Sequence, residues 1–545
     1  AIFPVRTFWA VNLLLLLMAA SIFYLINKAL PILGKVIALG VLVGVFLLVL
    51  AKPTIIKTDF TNTVPVDVGN YIIPKYQTKP LTELIPNPTF FQDDNWRTDI
   101  FNPGIYQWWN LVSAKAATRG YSNYPTGVQR DWVYFFQTAT RNVPKNTNEE
   151  LAKNQALFLL DAYGVKFIEN SLSTYPPSLL EDANVVINHQ KAREQDFYEI
   201  SEDFSTPVVS PTSSQAVLFV GDYSSFNSFI RTVAMTNLNS KTLIPVKGPE
   251  SINNLTKQDL ANFPILVLYG YKGSNFDKLK DYLIQGGKIF IDTNSTKSYP
   301  SGKLSEIFPS DFINRQEVSG TINFKVDKAE AVKNVNLEKF SSFTFQGGPW
   351  ELFTAKAESL RNSVKPILLV NNDPVVVETK LGRGSIIWSG LNLPFHIVSN
   401  NNYEEAKFFK NVFINLVETP KNKAEFKVER PTPESIKVTG TNFTGIYFKE
   451  NYNSGWKAYV NNQPTKIYQA GLGFIYIPVN HSSNVELIYK GSFVNWILFY
   501  ISVISASICL FYLVLPRVFH KLLNFVSLQW KSRLKSKVEN WVENE

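Results

Sequence analysis

Between residues 212 and 420, the apolar positions of the chain form continuous runs instead of alternating with polar positions. The runs "QAVLFVGD", "FPILVLYGYKG" and "GRGSIIWSGLNLP" have the length of buried strands. Amphipathic helical patterns such as "SNFDKLKDYLIQGG" and "NNYEEAKFFKNVFINLVE" accompany them. Strands without alternation that are connected by such helices are typical of a parallel sheet with both faces covered. The pattern therefore predicts a doubly wound parallel α/β domain over residues 212–420.

The residues that follow the predicted strands are candidates for ligand binding, because open parallel sheets bind ligands at the carboxyl ends of their strands. These candidates are Asp222, Tyr269 and Asp292. A hydrolase would need a nucleophile, and this domain has neither a cysteine nor a Gly-x-Ser-x-Gly sequence. His396 follows a strand, but a lone histidine is more often structural than catalytic. The catalytic residues stay unassigned, and no metal site or cofactor is predicted.

From Ala424 to Lys490 the pattern changes to a period of two. Seven short segments, among them "SIKVTG", "GFIYIPV" and "NVELIYKG", are separated by turn sequences such as "NYNSG" and "VNNQP". This pattern predicts a small antiparallel β-sandwich over residues 424–491. In "GWKAYV" the alternation directs Trp456 toward the core of the sandwich.

Residues 52–211 have poor periodicity and predict an irregular α+β region. One amphipathic helix is expected to end near Tyr163, because Gly164 suits the C-cap of a helix. Aromatic side chains in this region are candidates for stacking on sugar rings, and packing of an irregular subdomain is the alternative. The candidates are Trp108, Trp109 and Trp132.

Three long apolar runs lie at residues 7–26, 34–51 and 494–515. Each is close to the roughly 20 residues that cross a hydrocarbon core as a helix. A buried core helix is the alternative for each run, and a signal peptide is a second alternative for the first. We expect transmembrane helices, two of them within residues 1–51, and hence a membrane-anchored multidomain α/β plus β protein.

Positive charge sets the expected orientation of these helices. Lysine and arginine are concentrated in residues 516–545, a basic amphipathic tail that the positive-inside rule places in the cytoplasm. Residues 52–493 are then extracytoplasmic in a multi-pass protein of the cell membrane. Membrane lipid accounts for the net charge of +9 better than nucleic acid does, so nucleic acid is not an expected partner. The single cysteine, Cys509, lies in the last run, which leaves the exterior region without a disulfide framework.

The same orientation places residue 1 outside the cell, and Ala1 is not a methionine. A leader that was removed would explain this. The alternative, which we favour, is that the chain is the C-terminal part of a longer polytopic protein.

The stretch "NSGWKAYVNNQPTKI" and the later "GLGFIYIPV" resemble the C-terminal sandwich of the YfhO-like bacterial membrane proteins, to which the 6-pyruvoyl-tetrahydropterin synthase-related membrane proteins are similar. Asn461 and Asn462 replace the Asp-Gly pair that is usual in the turn of that family. The stretches "NWRTDIF" and "LLDAYGVKFIEN" resemble earlier parts of the family. The resemblance covers about residues 1–200 and 424–515.

The segment between these two parts resembles a class I glutamine-amidotransferase-like domain through "DYLIQGGKIFID" and "LGRGSIIWSGLNLP". Active members of that group carry a cysteine nucleophile, and this segment has no cysteine. The resemblance therefore implies an inactive domain that binds a ligand or a protein.

The YfhO-like proteins resemble GT-C glycosyltransferases, whose donors are polyprenyl-phosphate sugars. The resemblance implies that the chain is the exterior region and membrane anchor of a cell-envelope glycosyltransferase. Its role would be to bind the acceptor or an envelope glycan, with the catalytic residues upstream of Ala1. The alternative is a non-enzymatic envelope membrane protein whose amidotransferase-like domain binds a protein or glycan partner. A hydrolase that uses Asp222 or Asp292 with His396 is a third, weaker hypothesis.

Overall fold

The computed structural model describes most of the chain between residues 95 and 491. The described residues are 95–100, 148–170, 175–192, 195–296, 302–417, 424–432, 434–479 and 482–491, with isolated positions at 118, 132 and from 497 to 525. Those up to Lys490 belong to one compact unit, and those from Gly491 onward belong to another. The helices and strands named below all lie in the first unit.

The described part of this unit contains seven α-helices. They are α1 (Glu149–Tyr163), α2 (Pro177–Leu180), α3 (Tyr223–Met235), α4 (Lys257–Asn262), α5 (Asp277–Ile284), α6 (Leu393–Asn400) and α7 (Tyr403–Phe413). Short 3-10 helices lie at Ile252–Asn254, Ala329–Val332, Leu337–Lys339, Ala357–Ser359 and Ile414–Leu416.

Helix α1 illustrates how the local sequence sets these boundaries. The Asn148 side chain accepts a hydrogen bond from the backbone N–H of Leu151 at 3.1 Å and so caps the first turn. Gly164 follows the last turn with a left-handed φ of 68°, which glycine adopts without strain. The predicted end of the helix near Tyr163 is therefore confirmed.

Twenty-four strands lie in the described part of the same unit. In chain order they are β1 (Arg97–Asp99), β2 (Val165–Glu169), β3 (Val186–Ala192), β4 (Gln195–Ile200), β5 (Val209–Thr212), β6 (Gln215–Val220), β7 (Leu243–Lys247), β8 (Ile265–Leu268), β9 (Lys288–Asp292), β10 (Ile313–Val318), β11 (Lys325–Val326), β12 (Thr344–Phe345), β13 (Gly348–Ala355), β14 (Lys365–Val370), β15 (Asp373–Leu381), β16 (Gly384–Ser389), β17 (Glu425–Thr432), β18 (Ser435–Thr441), β19 (Gly445–Phe448), β20 (Trp456–Val460), β21 (Gln463–Thr465), β22 (Tyr468–Ala470), β23 (Phe474–Pro478) and β24 (Ser482–Tyr489).

Twelve of these strands form one mixed sheet. Its spatial order is β11-β14-β15-β16-β9-β8-β6-β7-β22-β23-β19-β5. Neighbouring strands run parallel only in the central portion from β16 to β7. Antiparallel strands extend both sides of this centre, beginning with β15 next to β16 and with β22 next to β7. The parallel strands that the apolar runs predict are present, but they make up less than half of the sheet.

The other sheets are smaller. Their orders are β1-β2-β4-β3, β10-β13-β12 and β17-β18-β24-β20-β21, and the last is antiparallel throughout. This five-stranded sheet packs against the twelve-stranded sheet through a common apolar core. Ile436 and Leu487 contribute to the core from the smaller sheet, and Ile446 and Ile475 contribute from the larger one. The two sheets therefore face each other in a β-sandwich-like arrangement.

The predicted fold class is wrong. It placed a doubly wound parallel domain at residues 212–420 beside a separate sandwich, whereas β22, β23 and β19 join the same sheet as the parallel strands. The described sheets are mixed and antiparallel, and strands outnumber helices. The physical reason is that β23 is buried along its whole length and pairs on both sides, so it completes a larger sheet instead of forming one face of a small sandwich.

The predicted membrane anchor is also not found in the part of the chain that the structure describes. None of the helices there is both long enough and apolar enough to cross a membrane. The predicted helices at residues 7–26 and 34–51 lie outside the described residues, and only part of the third, at 494–515, is described.

A buried polar network joins α1 to the end of β19. The Lys449 side chain is fully buried, and its ammonium lies 3.5 Å from the Asp161 carboxylate. The same ammonium donates hydrogen bonds to the backbone oxygen of Asp161, to the Thr206 backbone oxygen at 2.7 Å and to the Thr206 hydroxyl at 2.6 Å. Burial lowers the pKa of Lys449 to about 8, although the Asp161 charge opposes that shift.

Asp161 has further donors around it. Oδ1 accepts hydrogen bonds from the Thr206 hydroxyl at 2.8 Å and from the Ser240 hydroxyl at 3.0 Å. Oδ2 accepts a hydrogen bond from the Ser240 backbone N–H at 2.7 Å. These hydrogen bonds are internal to the protein, and the network fixes α1 against Lys449 at the end of β19.

Candidate functional site

The carboxyl ends of the neighbouring strands β6, β8 and β9 lie at one edge of the parallel region. Asp222, Tyr269 and Asp292 lie at these ends, as the sequence predicts. The backbone segments after β6 and β8 approach closely at this edge. A Cβ atom added to Gly221 would lie 1.8 Å from the backbone oxygen of Tyr269. Only glycine fits at that position without movement of the neighbouring backbone.

All three candidate side chains at this edge have structural partners. The Asp222 carboxylate accepts a hydrogen bond from the Ser225 N–H at 2.8 Å and caps α3. The Tyr269 hydroxyl donates to Asn392 Oδ1 at 2.7 Å. Burial raises the pKa of Tyr269 well above its usual value, and the nearby charges of Asp292 and Asp222 raise it further. The effect of both charges on Tyr269 shows that the three predicted residues lie close together.

Asp292 is a buried acid with a strongly raised pKa at this edge. Its side chain is fully buried, with Oδ2 accepting from the Ser389 hydroxyl at 2.8 Å and Oδ1 accepting from the Ser295 N–H at 3.1 Å. Burial raises the pKa of Asp292 to about 7, although these hydrogen bonds favour the charged form. The carboxyl group can therefore hold a proton near neutral pH, but it faces protein atoms.

Tyr269 and Asp292, at the ends of β8 and β9, are closed off from solvent. Tyr269 is 2% exposed and Asp292 is 0% exposed, so neither offers a surface to a ligand. Their predicted role in ligand binding stays a prediction, and the geometry gives both residues bonds within the protein.

Trp132 is 2% exposed and has the Arg231 guanidinium 5.7 Å from its ring centroid. Such a buried ring packs the interior and offers no face to a sugar. Trp108 and Trp109 lie outside the described residues.

His396 also has structural partners. Its Nδ1 lies 2.7 Å from Glu405 Oε2, and its Nε2 lies 3.3 Å from the backbone oxygen of Ser342. The imidazole stacks on Phe343 at 4.1 Å between ring centroids, and it is fully buried. Both ring nitrogens of this buried imidazole face protein oxygens, so neither is placed to take a proton from a ligand.

An open groove of about 280 Å³ lies on the five-stranded sheet near β20 and β21. Its walls combine aromatic, aliphatic and hydroxyl side chains. The lining includes Tyr452, Ser454, Trp456, Tyr459, Thr465 and Ile467.

Two of the three aromatic residues at this groove, Trp456 and Tyr452, differ clearly in exposure. Trp456 is 9% exposed and packs on Phe448 and Tyr489, with ring centroids 5.2 Å and 5.3 Å away. Tyr452 is 42% exposed, so much of its side chain remains in solvent. An exposed aromatic ring beside a rigidly packed one makes this groove the best candidate binding site in the described part of the chain.

The alternation of "GWKAYV" correctly predicts that Trp456 faces the core. The groove itself is not predicted, because its other wall comes from the turn that holds Tyr452 and from β21. The available signal was Tyr452 in "NYNSG", an aromatic residue in a turn sequence where glycine, asparagine and serine are usual.

Within the described ranges, no group of three or more His, Cys, Asp and Glu side chains is placed to hold a metal ion.

No protein-family model matches the sequence, and no curated protein sequence matches it. Among solved structures, the chain is similar to a cytoplasmic protein from Salmonella typhimurium LT2, with 15% identity over 37% of this chain and 100% of that chain, at a TM-score of 0.27. It is similar to a β-galactosidase from Bacillus circulans sp. alkalophilus, with 11% identity over 50% of this chain and 41% of that chain, at a TM-score of 0.24.

A third similar structure is an exo-β-1,4-mannosidase from Opitutaceae bacterium strain TAV5. The identity is 10% over 38% of this chain and 36% of that chain, and the TM-score is 0.25. The chain thus spans less than half the length of either glycosidase. TM-scores this low carry no argument about the fold or the function of this chain.

Proposed function

We propose that this chain binds carbohydrate in the groove beside Tyr452 and Trp456. In this proposal the groove holds the acceptor or another glycan for a cell-envelope glycosyltransferase that uses a polyprenyl-phosphate sugar donor. The observation that carries the proposal is the exposed Tyr452 ring at the edge of a groove whose floor is fixed by the packed Trp456. The resemblance of "NSGWKAYVNNQPTKI" to the YfhO-like proteins supports the link to a glycosyltransferase.

Carbohydrate suits the chemistry of this groove. The C–H face of a sugar ring packs on the electron-rich face of an aromatic ring, which Tyr452 offers. The hydroxyl groups of Ser454 and Thr465 lie among the lining residues, and a sugar hydroxyl can both donate to them and accept from them. The proposal assigns binding and no catalytic step to these residues.

The proposal also gives the chain a location. A groove for envelope glycan has to face the exterior of the cell, so residues 52–493 are proposed to be extracytoplasmic. The alternative, a partner that binds at residues 212–420, has less support, because Tyr269 and Asp292 are buried there and bond to other parts of the protein.

The Tyr452→Ala variant should bind glycans about tenfold more weakly than the unchanged protein, because loss of an aromatic face removes about 0.5–1.5 kcal/mol beyond its contact area. The full chain is first applied to an array of neutral and amino-sugar oligosaccharides. The affinity for the best ligand is then measured by titration calorimetry for each variant.

Phe426→Ala is the matched control, because Phe426 is 45% exposed on β17 of the same sheet and lies outside the groove lining. Its affinity should equal that of the unchanged protein. If no oligosaccharide binds, or if both variants bind as tightly as the unchanged protein, the groove is not a carbohydrate site.

A further inference from the structure

A second cavity, of about 180 Å³, lies where one side of α7, the end of α3, Asn154 of α1 and the segment after the 3-10 helix Ala329–Val332 meet. It is lined mainly by lysine and asparagine side chains. The lining includes Lys333, Lys407, Lys410, Tyr403, Asn237 and Asn334. A buried water needs only about 10–15 Å³ of such space, so this cavity has room for a small polyatomic ion.

Only one of the three lysines at this cavity has a carboxylate partner. Lys407 lies 2.8 Å from Glu404 and also donates to the backbone oxygen of Asn334 at 2.7 Å. Lys410 donates to the Asn237 amide oxygen at 2.5 Å, and among the described residues no carboxylate lies within ion-pair distance of Lys410 or of Lys333. Within the described ranges, two positive charges at one cavity therefore have no carboxylate counter-charge in ion-pair contact.

This arrangement is costly in the absence of an anion. Burial lowers the pKa of Lys410, and no neighbouring charge opposes that shift. The charged form of a half-buried lysine loses hydration, and a hydrogen-bonded anion would offset part of this loss.

Tyr403 supplies a further donor. Burial raises the pKa of its hydroxyl, and the charges of Glu150 and Glu404 raise it further, so the hydroxyl keeps its proton at neutral pH. Both glutamates lie near Tyr403. Glu404 is paired with Lys407, and Glu150 is exposed in the first turn of α1.

We propose that this cavity binds a phosphate group, with Lys333, Lys410 and Tyr403 donating to its oxygens. A phosphate carries about two negative charges at neutral pH and accepts hydrogen bonds at each terminal oxygen, which matches two unpaired ammonium groups and one hydroxyl. Lysine binds phosphate as a point charge and does not need a planar partner. The site is separate from the carbohydrate groove, and neither proposal depends on the other.

The left-handed turns at Asn237 and Asn334 help to shape the cavity. Their φ values are 58° and 59°, and each residue follows a helical segment that ends beside the cavity. Asparagine adopts this conformation more readily than most residues. The turns therefore hold an amide oxygen near Lys410 and a backbone oxygen near Lys407, which orients both ammonium groups.

The test uses titration calorimetry of the full chain with inorganic phosphate and with pyrophosphate. Binding is expected for at least one of the two anions and should weaken as the sodium chloride concentration rises. Lys410→Met should weaken binding tenfold or more, because a hydrogen bond between charged groups is lost. Lys333→Met, at an exposed position where folding is less at risk, should weaken it in the same direction.

Lys272→Met is the matched control, because Lys272 is exposed, pairs with Glu250 and lies outside the cavity lining. It should leave the affinity unchanged. Circular dichroism verifies that each variant is folded.

A parallel experiment distinguishes a free phosphate from a lipid headgroup. Vesicles of phosphatidylcholine, with and without phosphatidic acid, are floated with the protein. If the protein binds phosphatidic acid vesicles but no free anion, and the lysine variants reduce that binding, the phosphate belongs to a lipid. That result supports the same site. If neither free anion nor phosphatidic acid binds, or if the Lys333 and Lys410 variants bind as the unchanged protein does, the proposal is overturned.

Discussion

Replacement of Asp161 by alanine should reduce the free energy of unfolding by about 3–5 kcal/mol, the usual cost of removing one partner of a buried ion pair. The variant leaves the Lys449 ammonium without a counter-charge in a fully buried position. It also removes the acceptor for the Ser240 N–H and the Thr206 hydroxyl. The midpoint of urea unfolding of the full chain, followed by tryptophan fluorescence, measures the change.

The double variant Asp161→Ala with Lys449→Met should recover a large part of this loss, because it leaves no unpaired buried charge. Glu306→Ala serves as the control for an ion pair at the surface. Glu306 lies 2.9 Å from Lys280 and both side chains are exposed, so its loss should cost at most about 1 kcal/mol. An Asp161→Ala variant that is no less stable than Glu306→Ala would show that the network is not a source of stability.

Asp292→Asn should change how stability depends on pH. The pKa of Asp292 is raised in the folded protein from 3.8 to about 7, so folding favours the protonated acid. This contribution to stability is complete below the unfolded pKa and is lost as the pH rises through 7. The asparagine side chain does not titrate. The free energy of unfolding of the variant, minus that of the unchanged protein, should therefore rise by about 2–3 kcal/mol between pH 5 and pH 8.

Urea unfolding at a series of pH values between 5 and 8 measures this difference. Asp203→Asn is the control, because the Asp203 side chain is 91% exposed and lies 3.9 Å from Lys241. The stability of that variant relative to the unchanged protein should stay nearly constant with pH. Parallel curves for Asp292→Asn and the unchanged protein would refute a buried, proton-holding Asp292.

Local features of the fold were predictable from the sequence where one short stretch determines them. Gly164 marks the end of α1, and Asp222 and Tyr269 lie together because parallel strands bring their carboxyl ends to one edge. The alternation in "GWKAYV" likewise placed Trp456 in the core. Each of these results depends on periodicity or on the preference of one residue for one conformation.

The rest depended on contacts between distant parts of the chain. Residue alternation does not reveal that Ala470 of β22 pairs with Val246 of β7, which is what merges two predicted domains into one sheet. The Asp292 carboxylate is hydrogen-bonded to Ser389, which lies nearly a hundred residues away in the sequence. The burial of Lys449 likewise depends on Asp161 and Thr206, and no signal in "IYFKEN" indicates it.

The pairing of β7 with β22 has a consequence for synthesis of the chain. About 220 residues separate the two strands, so at about 5–20 residues per second the ribosome needs about 10–40 s to deliver the partner of β7. During that interval β7 presents unpaired backbone N–H and C=O groups, and an open strand edge of this kind recruits strands from other chains. This edge of β7 is therefore open to such pairing until residue 470 has emerged.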